Sequence, residues 1–271
     1  MKRLAVSSFA FRYNIGFDGF EPPRRLSTAG FLERAHALGF QGVQLCENLG
    51  ILKMTQNELT QIRELARKLG LFIEVGMNGA EKDNLEKHLG IALSLSSNFL
   101  RVVLGGRSCK KNDEIAGAVS HYIDTIRSVL PLFKSKNIQV GIENHFDLPT
   151  PALRKIVDTI NDNNLGLILD TTNCIHFLER PEEALEICRG RIVSVHLKDY
   201  CVKKVEAGHF ISGTVLMDGE LNVQLFLDCC ENIVMEMTVR RPENYTPDQV
   251  VEWEDQAVAA SARKLMSCLN Q

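Results

Sequence analysis

Eight times along 271 residues a short apolar run is followed by a stretch with helical spacing. This alternation predicts an α/β fold of the closed (β/α)8, or TIM barrel, class. Strict alternation implies parallel strands joined by helical crossovers. The strands are near-continuous apolar runs, as expected when both faces of a parallel sheet are covered. The units recur at roughly 30 residues, the length a barrel of eight units requires. An open doubly wound sheet would need a phosphate-binding glycine motif. No run is followed by G-x-G-x-x-G or G-x-x-x-x-G-K-[ST], and Gly105-Gly106-Arg107 is only a weak echo. No Pro/Ser/Gly linker divides the chain, so residues 1–271 are expected to form one domain.

The first strand runs from Leu4 to Phe9 and opens into a long loop, FRYNIGFDGFEPPRR, where Pro22 and Pro23 oppose both helix and central strand. Ser27 or Thr28 caps a helix to Leu38, whose apolar positions Phe31, Leu32, Ala35 and Leu38 have helical spacing; Gly39 stops it. GVQL (42–45) is the second strand, with Glu47 and Asn48 in the loop beyond it. Thr55 and Glu58 form a capping box for a helix that ends at Gly70. LFIEV (71–75) is the third strand, followed by a helix over 81–96. FLRVVLGG (99–106) is the fourth, followed by a long helix over 113–136 that contains Pro131. IQVGIE (138–143) is the fifth, and Pro149 and Pro151 introduce a helix to Asn161. LGLILD (165–170) is the sixth. PEEALEIC (181–188) then places proline in a first helical turn and acids near the positive end of its dipole. RIVSVHL (191–197) is the seventh strand, and a polar loop with several glycines leads from it to a helix over 221–230. NIVMEM (232–237) is the eighth, and Thr246-Pro247 opens a last helix to Cys268.

Composition narrows the function classes. A net charge of −3 leaves no basic excess of the kind nucleic-acid binding needs. None of the eight cysteines lies in a C-x-x-C pair, and several sit in apolar runs where thiols act as small hydrophobes. A reducing cytoplasm is the expected location. LAVSSFAF behind Lys2 and Arg3 is short for a signal peptide and lacks an A-x-A-like site. No run approaches the roughly 18 apolar residues of a membrane span.

Four strands close on a residue that can hold a metal: Glu143 in VGIENH, Asp170 in LGLILDTTN, His196 in IVSVHLKD and Glu236 in NIVMEMT. They are 27, 26 and 40 residues apart, about one β-α unit per step with the last lengthened by the 198–220 loop. In a barrel these positions fall at the C-terminal mouth, where active sites are built. A lone acid at a strand end is usually just solvated. Four on consecutive strands, roughly 5 Å apart, are placed to surround one ion. Three carboxylates and an imidazole suit Mn, Mg, Co or Zn.

IENH (142–145), LDTTN (169–173), VHLKD (195–199), the acid at Glu236 and the segment GTVLMDGELN (213–222) resemble the xylose-isomerase-like TIM-barrel superfamily of sugar and sugar-phosphate isomerases and epimerases. The resemblance covers nearly the whole chain. It implies that Glu143, Asp170, His196 and Glu236 bind the metal, and that Glu143 and Glu236 also act as acid/base catalysts on opposite faces of the substrate. That role has an independent rationale. A hydrogen beside a polarised carbonyl is acidic; one carboxylate removes it to leave a cis-enediolate. Return to the other face gives an epimer, and return to the neighbouring carbon an isomer. Loss of a β-hydroxyl gives a dehydratase or another lyase. Two departures bear on this choice. Sugar 3-epimerases of the superfamily often carry His where this chain has Asn173, and Arg where it has Val202. The HLKD form is more similar to inosose dehydratases. The expected activity is therefore a sugar, sugar-phosphate or keto-polyol isomerase or epimerase. The alternative is a lyase of the inosose dehydratase or keto-glycoside cleaving type.

Glu47, Arg107, His145, Asn173, Lys198 and Arg240 are the candidate substrate-binding residues. By strand alternation Lys198 shares the side of His196, within reach of a substrate oxygen or of Glu236. Glu74 is left unassigned between barrel interior and helix side. His36, His88 and His121 read as surface. Trp253 reads as helix packing, and Phe11, Tyr13 and Phe17 are placed for an aromatic wall over the pocket. Endonuclease IV-type DNA repair shares this fold but builds a three-zinc site from many histidines in a basic groove. A chain with seven histidines, one of them among the four ligands, does not fit it. A non-catalytic sugar binder has no need of an acid on each face. The expected partner is a small sugar or keto-polyol, with no nucleic acid and no membrane; a homo-oligomer is left open.

Overall fold

Strand pairing closes the sheet on itself. The computed structural model describes residues 2–269. Strands β1 (Arg3–Ser7), β2 (Gly42–Leu45), β3 (Phe72–Asn78), β4 (Phe99–Val103), β5 (Gln139–Glu143), β6 (Leu165–Asp170) and β7 (Ile192–Leu197) pair in parallel and in sequence order. A hairpin, β8 (Asp199–Val205) and β9 (Gly208–Thr214), is inserted next and forms its own antiparallel sheet. Strand β10 (Asn232–Met235) then lies between β7 and β1 and completes a closed eight-stranded barrel. The expected barrel fold is thus observed. Residues 1, 270 and 271 of the expected domain lie outside the described residues.

The helices occupy the crossovers: α1 (Arg12–Ile15), α2 (Thr28–Ala37), α3 (Gln56–Leu69), α4 (Lys82–Ser94), α5 (Asn112–Ser135), α6 (Thr150–Ile160), α7 (Pro181–Cys188), α8 (Val223–Leu227) and α9 (Pro247–Leu269). Their ends follow local chemistry. Ser27 caps α2, and the Thr55–Glu58 capping box starts α3. Among the described residues no helix is long and apolar enough to cross a membrane.

Three features differ from expectation, each for a physical reason. The segment after β1 is not open loop: a 3-10 turn over Ser8–Phe11 runs into α1. Glu254 of α9 holds that corner, accepting from the Tyr13 and Asn14 N–H groups at 3.0 and 2.8 Å and from the Asn14 amide at 3.0 Å. Burial pushes its carboxyl up to about 7 against those three donors. The polar stretch after His196 is the β8–β9 hairpin. Its outer half is exposed on both faces, so it carries no apolar alternation from which a strand is read. His88 is buried rather than at the surface, because it lies on the face of α4 that packs on the barrel; its Nδ1 is 2.8 Å from the Asn84 carbonyl.

Polar side chains meet inside the barrel. Gln44 of β2 meets His196 of β7, and Asn232 of β10 donates to Glu74 of β3 at 2.7 Å. Neither pair of strands is hydrogen-bonded together, so these side chains meet across the lumen. Glu74 therefore points inward. Beside them the lumen is tight: a Cβ on Gly141 would lie 2.7 Å from Ile168 and 2.9 Å from Phe99.

Candidate metal centre and active-site pocket

Glu143 closes β5, Asp170 closes β6, His196 is the penultimate residue of β7, and Glu236 follows β10 directly. Register staggers them along the tilted strands: Glu143 pairs with Ile168, two residues before Asp170. Asp170 pairs with His196, and His196 pairs with Val234, two residues before Glu236. All four side chains are buried. One ligand atom each from Glu143, Asp170 and His196 lie within 4.8 Å of one another. His196 Nδ1 is 3.1 Å from Glu143 Oε2 and 3.4 Å from Glu236 Oε1.

Asp170, His196 and Glu236 are each tied on one edge and free on the other, whereas Glu143 is held on both oxygens. Asp170 Oδ1 accepts from the N–H groups of Thr172 and Asn173, both at 2.9 Å. Glu143 Oε1 accepts from the Asn173 amide at 3.1 Å, and its Oε2 is ion-paired with Arg101 Nε. The Gln44 amide contacts His196 Nε2 at 3.1 Å and donates to Glu74 at 3.1 Å, which turns the Nδ1 edge of the ring toward the acids. Asp170 Oδ2, His196 Nδ1 and Glu236 Oε1 remain buried without a hydrogen bond. Unsatisfied buried atoms of this kind are costly. The grouped ligand atoms of Glu143, Asp170 and His196 suit a divalent cation; Glu236 stands outside that group, beside His196. The residues present therefore fit the metal that the sequence suggests.

Two cations share the floor. Lys198 Nζ lies 2.7 Å from Asp170 Oδ2, off hydrogen-bond alignment, and 2.9 Å from Glu236 Oε2. Burial alone would raise the Glu143 carboxyl, but Arg101 and His196 outweigh it and hold it well below the usual range. Burial likewise opposes ionisation of Glu236, yet Lys198 and His196 bring it to about 2. Burial lowers His145, while the carboxylates of Glu143 and Glu236 raise His196 against its own burial.

Above the floor is a cavity of about 550 Å³. Glu47, His145, Asn173, Lys198 and Glu236 line it, so the structure brings these sequence candidates together. It does not bring in Arg107 or Arg240. Both sit on loops beyond their strands, 78% and 63% exposed, paired in solvent with Glu114 at 2.7 Å and Glu243 at 2.6 Å. Of the three aromatic candidates only Phe17 reaches the cavity; Phe11 is core, and Tyr13 packs with Phe20 and Trp253. Arg101, a lining residue within β4, was not among the candidates. The signal was available: an arginine inside the apolar run FLRVV has no cheap place except a paired interior site.

A family model described as a xylose isomerase-like TIM barrel matches residues 32–228. The chain belongs to this family. The 3-oxo-isoapionate decarboxylase of Pectobacterium atrosepticum is 29% identical over 251 residues, 92% of this chain and 84% of that one. Among solved structures, the D-psicose 3-epimerase of Clostridium cellulolyticum, crystallised with D-tagatose, superposes with a TM-score of 0.69 at 12% identity, covering 97% of this chain and 98% of that one. A xylose isomerase-like TIM barrel protein of Mycobacterium smegmatis, in complex with magnesium, gives 0.66 at 13% identity, covering 97% and 98%. At such identities the two structures establish shared fold alone.

Within this family member the hairpin forms one wall of the pocket through Ile211, Ser212 and Gly213. Asp199 anchors its return. Oδ1 accepts from the Tyr200 and Leu221 N–H groups at 2.7 and 3.1 Å; Oδ2 accepts from those of Met217 and Gly219 at 2.8 and 3.0 Å. An amide offers one acceptor oxygen, so Asp199→Asn leaves two N–H groups facing an NH2. Loss of charge-assisted bonds at about 1.5–3 kcal/mol each predicts local opening. Hydrogen–deuterium exchange over 199–221 should accelerate at least tenfold in Asp199→Asn while α3 and α6 stay protected. Unchanged exchange there would show that the loop holds without this anchor.

Proposed function

We propose that the protein is a divalent-metal-dependent enzyme that transfers a proton on a small keto-sugar, sugar phosphate or keto-polyol, as an isomerase or epimerase, through a cis-enediolate. One observation carries the reading. Glu143 and Glu236 both approach His196 Nδ1, at 3.1 and 3.4 Å, beneath the cavity that Glu236 and Lys198 line. Glu143, Asp170, His196 and Glu236 would hold the ion, which when bound polarises a substrate carbonyl and acidifies the adjacent C–H. One carboxylate then takes the proton and the other returns it. Asn173 and Arg101 keep Glu143 aimed, and Lys198 does so for Glu236. The eight free cysteines favour a reducing cytoplasm as the setting.

A lyase is the second reading, favoured by Lys198. An ammonium 2.9 Å from Glu236 makes that corner a proton donor more than a base. A 3-oxo acid that loses CO2 leaves an enolate and needs just such a donor, and the relative from Pectobacterium is named as a decarboxylase of a 3-oxo acid. The test is a proton and carbon NMR screen of keto-sugars, their phosphates, inososes and 3-oxo sugar acids in D2O with Mn²⁺ or Mg²⁺. Deuterium entering an intact carbon skeleton supports the isomerase or epimerase. Loss of water or CO2 moves the assignment to the lyase. Turnover of none of these classes rejects both.

A further inference from the structure

Arg101 is the most deeply buried cation in the pocket wall, 3% exposed, and its fork is only half used. Nε pairs with Glu143 Oε2, whereas Nη1 is buried with no hydrogen-bond partner. Glu47 Oε2 lies 3.8 Å from Nη1, and that oxygen is also unpartnered. The pair is too long for a hydrogen bond. Glu47 stands on a short 3-10 turn at the rim with a side chain 34% exposed, so solvent is open to it when it is displaced.

The geometry points to Arg101 Nη1 as the docking point for a carboxylate of the substrate, with Glu47 as the group it displaces. This deepens the proposed function, on which it rests, by naming the substrate class: a keto sugar acid rather than a neutral ketose. Charge supports the assignment. The floor holds three carboxylates, Glu143, Asp170 and Glu236, against two cations, Arg101 and Lys198. With Glu47 swung away from Arg101, a bound divalent ion turns that single negative excess into a single positive one, which one substrate anion in Glu47's place neutralises. Position selects carboxylate over phosphate. The same guanidinium contacts Glu143, so an anion on its other edge lies within a carbon or two of the carbon whose proton Glu143 handles. A planar, two-oxygen group at that place matches the arginine fork. A phosphate at the far end of a sugar chain would bind at the rim instead.

The experiment is calorimetric titration of Mn²⁺-loaded protein with matched pairs that differ only in the acid: 2-keto-D-gluconate against D-fructose, and D-gluconate against D-glucitol. D-fructose 6-phosphate is the third arm. Wild type should bind each carboxylate at least tenfold more tightly than its neutral partner. Arg101→Met also unpairs Glu143 and can weaken both members of a pair, so the readout is their ratio: the carboxylate-to-neutral preference should fall to about one. Arg101→Lys keeps the charge and the Glu143 contact, so it should retain part of the preference even where Arg101→Met folds poorly. Glu47→Gln, which weakens the competing acid, should tighten carboxylate binding. Equal affinity within both pairs, no binding of either acid, a preference that survives in Arg101→Met, or tight binding of the phosphate alone would each overturn the inference. Deuterium exchange separates this from the parent reading. Exchange on ketoses without carboxylate preference sinks only the carboxylate site, whereas carboxylate preference without any turnover sinks only the proposed reaction.

Discussion

Glu143→Gln and Glu236→Gln should each lower deuterium exchange into substrate by about 10²- to 10⁴-fold, the range that a positioned acid or base contributes. The two variants are not equivalent. Gln at 143 leaves the Arg101 guanidinium buried without its counterion, and breaking such a pair costs roughly 3–5 kcal/mol. Gln at 236 leaves Lys198 its second acid, Asp170, at 2.7 Å. Thermal unfolding should therefore show a clear fall in Tm for Glu143→Gln and a smaller one for Glu236→Gln, with exchange lost in both. If the enzyme epimerises, the two variants should also differ in which epimer still releases its proton in a single turnover, because each keeps one of the two faces. Exchange at wild-type rate in both would remove these residues from proton transfer.

How legible this site was in the sequence depends on where each residue sits in its strand. Glu143, Asp170 and Glu236 end apolar runs, and a polar residue that closes a run is visible without knowing the register. The barrel itself followed from the same runs. Gln44 and Glu74 lie inside their strands, so only inward or outward parity gives them a role, and parity is set by neighbours far along the chain; the charge of Arg101 in an apolar run marks it as interior but does not name its partner. Gln44 shows this: its partner His196 is 152 residues away across the lumen. Arg107 and Arg240 illustrate the converse. They stand beyond strand ends, where a reader of sequence looks for substrate contacts, but loops there are free to turn their charges into solvent. Asn173, legible in sequence only as a change of residue type beside Asp170, links Asp170 to Glu143, donating its N–H to one and its amide to the other.

Metal dependence should be as visible in stability as in activity. Three buried oxygens and nitrogens without hydrogen bonds, on Asp170, His196 and Glu236, make the protein without its ion a strained state, with Lys198 and Arg101 as its remaining positive charges. An ion that binds only the folded barrel stabilises it by RT ln(1 + [M]/Kd), about 2.7 kcal/mol at a hundredfold excess over Kd. For a chain of this size that is roughly 5 °C or more in Tm. Protein stripped with EDTA and dialysed should unfold lower by that amount and lose turnover; Mn²⁺, Mg²⁺, Co²⁺ or Zn²⁺ should restore both. His196→Ala removes the imidazole without disturbing the Lys198 contacts, and Asp170→Asn removes the charge facing Lys198. In both variants added metal should no longer move Tm. The control is decisive for the electrostatic argument as well. If the buried acids are satisfied by Lys198 and Arg101 alone, wild type will show no metal-linked shift with any of the four ions, and Lys198→Met will then be the variant that unfolds the barrel. If the ion completes the site, Lys198→Met should still respond to metal, and by a larger shift than wild type, because the ion then compensates for more unpaired negative charge.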